Sequence, residues 1–423
     1  MKAYLRYLKL QGKYFVRFVR GFLIWIAMAA VIGAAGGLIG TAFRLSVAAS
    51  NQFWLAHRWM IWLLPASGLL IVFLYHVCGF ASPLGTNRII RAVRREEEVP
   101  WRTAPLIFAC SILTHICGGS AGREGAALQI GGTIGYRLGK LAHLSDEAVS
   151  LAVLAGMSAL FAALFGCPIA AMIFAMEVIS VGIFHYAGLV PCLISALIGY
   201  KISDFIGGGF VFKHNIALPT FDIALLLKVL VIGLISAAVS ILLVVAMDYV
   251  RRGFARLIGN PYLKIVVGAG ILIGLTYLFP GGDYNGAGDA LLLRALDGQA
   301  VWWSFLVKLL FTAITLGVGF KGGEIMPVFV IGAAVGCAAA PLLQMDPGTV
   351  AAMAMIGTFC GAVNCPLASI VMGVEFFGSS GLPYYAVVCC VSYLMSGYFG
   401  LYGSQKIVYS KLRAEFIDRH SKT

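Results

Sequence analysis

Apolar runs long enough to cross a lipid bilayer recur along the whole sequence. Residues 21–43, 103–122, 148–176 and 347–374 contain no Asp, Glu, Lys or Arg. A helix needs roughly 20 apolar residues to span a hydrocarbon core of about 30 Å. Because 60% of the residues are hydrophobic and only 12% are charged, the sequence predicts an all-α polytopic membrane protein.

Basic residues lie beside the apolar runs and not along one polar surface. The formal net charge of +13 would by itself suggest nucleic acid as a partner, but six Lys and Arg residues precede the first run and five follow the last. This is the positive-inside pattern of membrane proteins. We therefore predict a multi-pass inner (plasma) membrane protein with both termini cytoplasmic and no nucleic-acid partner. Residues 1–20 are predicted to form an amphipathic helix at the interface, and residues 406–423 a cytoplasmic tail.

The sequence repeats itself at a distance of about two hundred residues. Cys-Pro-Ile-Ala at 167–170 and Cys-Pro-Leu-Ala at 365–368 lie 198 positions apart, as do Glu177 and Glu375. Internally duplicated transporters bind their substrate where the two repeats meet, at the N-termini of broken helices. We predict a first transmembrane repeat at 21–206, a connector at 207–220 and a second repeat at 221–405.

Glycine-rich breaks with isolated charges interrupt the apolar sequence in each half. The first break runs from Gly118 to Gly132 and carries Arg123 and Glu124, and the second runs from Gly319 to Gly332 and carries Glu324. Breaks inside a bilayer are confined to protein-lined cavities, because lipid cannot satisfy the freed backbone groups. A helix that starts there presents N–H donors and the positive end of its dipole to an anion. A third break, residues 82–87, is predicted to converge with these two.

Gly-Arg-Glu-Gly at 122–125, Gly-Gly-Glu-Ile-Met-Pro at 322–327 and the two Cys-Pro segments resemble the CLC family of anion channels and proton-coupled anion antiporters. The resemblance covers nearly the whole chain. It implies two inverted-topology repeats of tilted and broken helices, and a homodimer with one pore per subunit. It also implies that Glu124 is the gating glutamate, whose carboxylate competes with the anion and carries the proton.

Departures from the chloride-type pattern favour the fluoride-exporting branch of the family. Residues 83–87 are Pro-Leu-Gly-Thr-Asn where the family has Gly-Ser-Gly-Ile-Pro, and Ala126 replaces the proline after Gly-Arg-Glu-Gly. Val178 occupies the position of the internal proton-accepting glutamate. Glu324 together with Met326 also resembles this branch.

Several candidate residues have two interpretations. Glu324 is predicted to line the pore or the proton path, although it could instead be a loop charge paired with Lys321. Asn87 and Thr86 offer donors to a small anion or cap the next helix. Tyr402 resembles the family's pore tyrosine, although Tyr398 is close in sequence. The complete set of predicted anion contacts, including backbone N–H donors, is Asn87, Thr86, Gly125, Ala126, Ile325, Met326 and Tyr402.

The remaining polar residues favour structural roles. Glu177 and Glu375 are interpreted as a structural pairing at the membrane edge. Ten cysteines are scattered singly, without the spacing of metal ligands. We expect no cofactor and no metal, and the chain lacks the nucleophile, base and metal motifs of an enzyme.

The predicted activity is export of fluoride in exchange for inward protons. Fluoride is small and strongly hydrated, so its site must supply several donors at close range. A chloride/proton antiporter or chloride channel of the same family is the nearest alternative. A sodium-coupled transporter of organic anions is the alternative of another class.

Overall fold

The computed structural model describes residues 2–80, 85–207 and 222–422, with side chains from residue 12 onward. Nearly all of the predicted connector and the first three residues of the third break lie outside these ranges. The described residues form 16 α-helices, eight in each half of the chain.

The helices of the first half are α1 (Lys2–Ala56), α2 (Leu64–Val77), α3 (Thr86–Val93), α4 (Thr103–Ile116), α5 (Glu124–Leu141), α6 (Asp146–Phe165), α7 (Pro168–Glu177) and α8 (Leu189–Gly207). Those of the second half are α9 (Ile223–Leu257), α10 (Pro261–Leu278), α11 (Asp289–Leu296), α12 (Ser304–Val318), α13 (Ile325–Leu343), α14 (Pro347–Val363), α15 (Pro366–Phe377) and α16 (Leu382–Met395). Short 3₁₀ turns lie at Arg58–Leu63, Tyr186–Gly188 and Ser379–Gly381.

Equivalent helices of the two halves end in the same way. Gly166 ends α6 and Asn364 ends α14, both in the left-handed conformation (φ 69° and 56°). A Cys-Pro pair then starts the next helix, because proline fits the first turn, where a backbone N–H has no helical partner. The repeated sequence thus produces a repeated helix–turn–helix unit.

Contacts between the halves are reciprocal. The Glu177 carboxylate accepts hydrogen bonds from the backbone N–H groups of Leu367 and Ala368, at 3.1 and 2.9 Å. The Glu375 carboxylate accepts from Ile169 and Ala170, at 3.0 and 2.8 Å. Each acid at the end of one helix therefore caps the start of its counterpart, as expected when a two-fold axis relates the halves.

Seven helices among the described residues are long and apolar enough to cross a membrane. The most apolar windows of α6 and α13 are 83% buried, whereas those of α1 and α10 are 28% buried. Helices α4, α7, α12, α14 and α15 are apolar but shorter. The chain is an integral membrane protein of two inverted repeats, with α6 and α13 at its centre and short, broken helices around them.

Two features were not predicted from the sequence. Residues of the C-terminal tail form strands: β2 (Lys406–Tyr409) pairs antiparallel with β3 (Phe416–His420) and parallel with β1 (Ser180–Val181). The fold is therefore not purely helical, because the tail completes a small sheet with an edge of the first half. Helix α1 also continues without interruption through residue 20, so no break separates the predicted interfacial helix from the first span.

Candidate anion site at the meeting of two helix breaks

The first and second breaks pair directly with each other. Gly122 and Gly323, which lie 201 positions apart in sequence, exchange two backbone N–H···O=C hydrogen bonds of 2.7 Å each. A Cβ atom on Gly323 would lie 2.4 Å from the backbone nitrogen of Gly125 and 2.6 Å from that of Glu124. Glycine is required there, since any side chain would separate the breaks. The pairing places the N-termini of α5 and α13 side by side.

Glu124 lies in the contact between these helix starts and is 0% exposed. Its Oε2 accepts hydrogen bonds from the backbone N–H of Arg123 at 2.9 Å and of Met326 at 3.1 Å. Its Oε1 lies 3.7 Å from Nε of Arg123. The carboxylate is thus stabilised by donors from both breaks, and these donors point where an anion would bind.

Glu324 has a different environment, although it belongs to the equivalent break. It immediately precedes α13 and borders a cavity of about 430 Å³. Its Oε2 has no hydrogen-bond partner among the described residues, and a Cβ on Gly125 would lie 2.8 Å from this oxygen. Glu324 therefore packs against the first turn of α5, within reach of the cavity.

Lys321 does not pair with Glu324. Its ammonium lies 4.4 Å from the ring centroid of Tyr75, and no salt bridge joins it to a carboxylate in the described part of the chain. The loop-charge alternative for Glu324 therefore lacks its expected partner.

The described end of the third break reaches the same cavity. Thr86 and Asn87 line it, and the Thr86 hydroxyl lies 3.3 Å from the carbonyl oxygen of Gly125, to which it donates. Asn87 Oδ1 accepts a hydrogen bond of 2.8 Å from the backbone N–H of Ser404. The Asn87 side chain thus binds the loop that carries Ser404, and it does not cap its own helix α3.

Of the two candidate tyrosines, Tyr402 lines the cavity. It is 2% exposed, and its hydroxyl has no hydrogen-bond partner among the described residues. The Tyr398 hydroxyl instead lies 3.0 Å from Oγ of Ser410. The structure thus places Tyr402, and not Tyr398, in the lining of the cavity that Glu324 also borders.

The predicted residues fall into two groups. Ala126, Ile325 and Met326 are 0% exposed and lie in the first turns of α5 and α13 with Gly125. Thr86, Asn87, Glu324 and Tyr402 border the cavity. Gly125 connects the groups, since its carbonyl oxygen accepts from Thr86 and from Nε2 of Gln129.

The C-terminal strand holds the loop that carries Tyr402. Ser421 Oγ donates to the Tyr402 carbonyl oxygen at 2.7 Å, and the Lys422 backbone N–H donates to the Tyr398 carbonyl oxygen at 2.8 Å. Gln405 Nε2 donates to the carbonyl oxygens of Val178 and Val363, at 3.1 and 2.9 Å. The C-terminal residues therefore hold the Tyr402 loop in place beside the cavity. The sequence did not predict this role.

Lys308 is a second element that the sequence analysis missed. It is 0% exposed, and its Nζ donates to Ser120 Oγ at 3.0 Å and to the carbonyl oxygens of Tyr284 and Gly286 at 3.1 and 2.9 Å. Thr312, one turn later, also contacts Ser120 Oγ, at 3.1 Å. These contacts fix the start of the first break. The available signal was a lone lysine in an apolar helix, since buried ionisable residues are rare in membranes.

Within the described ranges, no group of three or more His, Cys, Asp or Glu side chains is arranged to hold a metal ion. All ten cysteines are free, and most are buried.

Comparisons with known proteins agree with this architecture. Residues 67–397 match the model of the voltage-gated chloride channel family. The chain is 33% identical over 397 residues to a chloride/fluoride channel protein of Pseudomonas syringae pv. tomato, covering 92% of this chain and 87% of that protein. It is 26% identical over 399 residues to an H⁺/Cl⁻ exchange transporter of Yersinia pestis, covering 87% and 83%.

One similar solved structure is that of a CLC-type fluoride/proton antiporter, with a TM-score of 0.86 and 34% identity. The alignment covers 90% of this chain and 98% of that one. Because the family model spans most of the sequence and the 33% identical relative is matched almost throughout, this chain belongs to the CLC family of voltage-gated chloride channels.

Proposed function

We propose that this protein is a fluoride/proton antiporter, which exports fluoride from the cytoplasm in exchange for inward protons. The observation that carries the proposal is the position of the Glu124 carboxylate, which accepts N–H donors from both helix starts. A fluoride ion needs the same donors. Carboxylate and fluoride therefore exclude each other, and this exclusion couples the two fluxes.

Protonation controls the exchange at Glu124. The ionised carboxylate competes with the anion for the N–H groups of Arg123 and Met326. A protonated carboxyl group is a much weaker acceptor, so it leaves these donors to fluoride. Return of the carboxylate expels fluoride and delivers the proton to the other side.

Glu324 is proposed to relay protons between the cavity and Glu124. Val178 stands where chloride antiporters of the family carry an internal acid, and it is fully buried. Glu324 borders the cavity and packs against Gly125, the residue after Glu124. It is therefore a titratable group with access to water on one side and to the site on the other.

Selectivity for fluoride is proposed to arise where the second and third breaks border the same cavity. Asn87, Thr86 and Tyr402 surround the cavity next to Glu324, and the backbone donors of Gly125, Ala126, Ile325 and Met326 lie beside them. Donors that are close enough together to bind fluoride cannot all reach optimal distances to a larger ion. The hydrogen bonds to chloride are then too long, and long hydrogen bonds are much weaker. The similarity to a fluoride/proton antiporter supports this assignment.

Chloride is the second candidate substrate, because the matched relatives include an H⁺/Cl⁻ exchange transporter and a chloride/fluoride channel protein. Purified protein in vesicles loaded with equal fluoride and chloride separates the two. Ion-selective electrodes should record fluoride efflux well above chloride efflux. Equal handling of both halides would overturn the fluoride assignment.

The basic flanks of the chain support an inner-membrane location with both termini cytoplasmic. On this orientation the cavity opens to the cytoplasm, since Arg251 and Lys264 line it. We further propose a homodimer with one pore per subunit; the pairing of Gly122 with Gly323 within one chain supports a separate pore in each subunit, and the dimer is what the family resemblance implies. Accessibility of single cysteines to an impermeant reagent tests the orientation, and cross-linking in the membrane tests the dimer.

A further inference from the structure

His115 is a buried histidine beside the first break, and the exchange mechanism described above does not use it. It is the last residue but one of α4 and is 0% exposed. Its Nδ1 lies 2.7 Å from the carbonyl oxygen of Ser111, and its Nε2 lies 2.9 Å from the carbonyl oxygen of Ala121. Both ring nitrogens therefore face groups that can only accept a hydrogen bond.

These two contacts determine how many protons the ring needs. A neutral imidazole has one N–H donor and one nitrogen that only accepts, whereas an imidazolium has two N–H donors. On a neutral ring, one of the two contacts would bring a nitrogen lone pair against an oxygen lone pair, and a buried nitrogen would lack its hydrogen bond. Only the charged ring satisfies both contacts.

The charges around His115 do not by themselves stabilise an imidazolium. In the described part of the chain no carboxylate forms a salt bridge with the ring, and burying an unpaired charge is costly. Asp289, the first residue of α11, favours the charge, and Arg123 opposes it. Glu124, which begins α5, lies 3.7 Å from Arg123 and offsets it when ionised.

The other two helices that pack on α4 add no acid beside the ring. Helix α1 contributes the buried Arg44, and α2 contains no Asp, Glu, Lys or Arg. The two carbonyl contacts are therefore what allows His115 to keep its second proton.

The Ala121 carbonyl connects the His115 ring to the anion site. Ala121 precedes Gly122, which exchanges two backbone hydrogen bonds with Gly323, and Glu124 follows three residues after Ala121. A displacement of the first break would carry the Ala121 carbonyl away from Nε2. The imidazolium would then lose one of its two acceptors, and its charge would no longer be stabilised.

We propose that His115 is a further proton-binding residue of the exchange, and that its charge positions the first break. The ring holds its second proton while Ala121 is in place, and it thereby fixes the start of α5. When the break moves, the Nε2–H bond breaks, the electron pair stays on the nitrogen, and the proton passes to a water molecule that the displaced break admits. The role in exchange rests on the proposed function, whereas the charge of the ring does not.

Nuclear magnetic resonance of the ring nitrogens tests the charge without any transport. The full-length protein labelled with ¹⁵N-histidine should show, at neutral pH, a buried ring in which both nitrogens carry a proton. This signal should be absent from His115→Gln. His57→Gln is the matched control, because Nδ1 of His57 also contacts the carbonyl oxygen four residues earlier, at 3.0 Å, but its ring is exposed; the signal should remain. A single N–H on the His115 ring would overturn the proposal.

The pH profile of transport tests the role in exchange. In vesicles with the same pH on both sides, fluoride exchange by the parent should slow several-fold as the pH rises through the titration of His115, because the neutral ring gives up one carbonyl contact. His115→Gln keeps an amide donor but cannot titrate, so it should lose this step, and His57→Gln should keep it. A parental profile in His115→Gln would overturn the role.

A comparison within the parent protein avoids any dependence on the folding of His115→Gln. The pH at which the His115 ring loses its second proton in the resonance spectra should match the pH at which transport slows, and a mismatch overturns the role in exchange. If the parent moves no fluoride at any pH, the proposed function fails, while the resonance spectra still decide on the charge of His115.

Discussion

The first and second helix breaks contain equivalent glycines, but the acidic residue of each break lies at a different position, shifted by one residue. Gly122 and Gly323 are 201 positions apart and bond to each other. At the same separation, Glu124 corresponds to Ile325 and Glu324 corresponds to Arg123. The acid of the first break is therefore the first residue of α5, whereas that of the second is the residue before α13.

This one-residue shift gives the two acids different surroundings. Glu124 is fully enclosed and accepts two backbone N–H groups, one of them from the other half of the chain. Glu324 borders the cavity, and its Oε2 lacks a partner in the described structure. The repeat supplies a symmetric frame, and the shift lets one half provide the gate and the other the proton relay that we propose.

The largest effect is expected from Glu124→Gln. The amide has the shape of the protonated acid but cannot bind and release a proton. Proton flux should fall at least about a hundredfold, since a positioned proton-transfer group contributes factors of that order. Fluoride-driven pH changes in vesicles measure this loss. Glu98→Gln, at an exposed glutamate, is the control and should couple normally; parental coupling in Glu124→Gln would remove Glu124 as the gate.

Glu324→Gln should have a smaller effect than Glu124→Gln and one of a different kind. Proton flux should drop several-fold while fluoride binding changes less, because the proton loses its relay but the N–H donors remain. The ratio of proton to fluoride flux is the measurement. Adding Val178→Glu tests the relay role, since a carboxyl group at that position should restore part of the coupling. An unchanged ratio in Glu324→Gln would return this residue to the role of a loop charge.

Changes where the second and third breaks meet should reduce selectivity. Asn87→Ser removes the amide that holds the Ser404 loop beside the cavity, and Met326→Ala removes a buried side chain at the N–H that binds Glu124. We expect each change to lower the preference for fluoride over chloride about tenfold, which is roughly 1.4 kcal/mol. Electrode recordings of both halides give the ratio. If both variants keep the parental ratio, selectivity lies instead in the backbone donors beside Glu124 or at Tyr402.

The helix caps formed by Glu177 and Glu375 test whether the two halves are equivalent away from the anion site. Glu177→Gln and Glu375→Gln should each lower stability by about 1–2 kcal/mol, because an amide replaces a carboxylate that accepts two helix-terminal N–H groups. Thermal unfolding in detergent is the readout. Similar losses for the two variants support the two-fold relation, whereas a loss confined to one would show that the caps are not equivalent.

Much of this architecture is present in the sequence because rare residues mark it. The Cys-Pro pairs revealed the repeat, and the glycine breaks with their isolated acids predicted that the first two breaks meet. Together these motifs indicated the family. The partners of Glu177 and Glu375 could not be read in this way, since a constant separation shows equivalence but not contact. Lys308 was missed because a charge inside an apolar run interrupts the pattern used to find helices. The tail strands depend on β1, a distant edge that local sequence does not reveal.

Coupled transport by the parent protein is the most direct test of the account. Vesicles loaded with fluoride, with the membrane potential held at zero and no initial pH gradient, should lose fluoride and take up protons together in a fixed ratio. The external medium should become alkaline as fluoride appears in it, and the pH change should vanish in Glu124→Gln. Fluoride efflux from the parent without proton uptake would contradict the exchange mechanism.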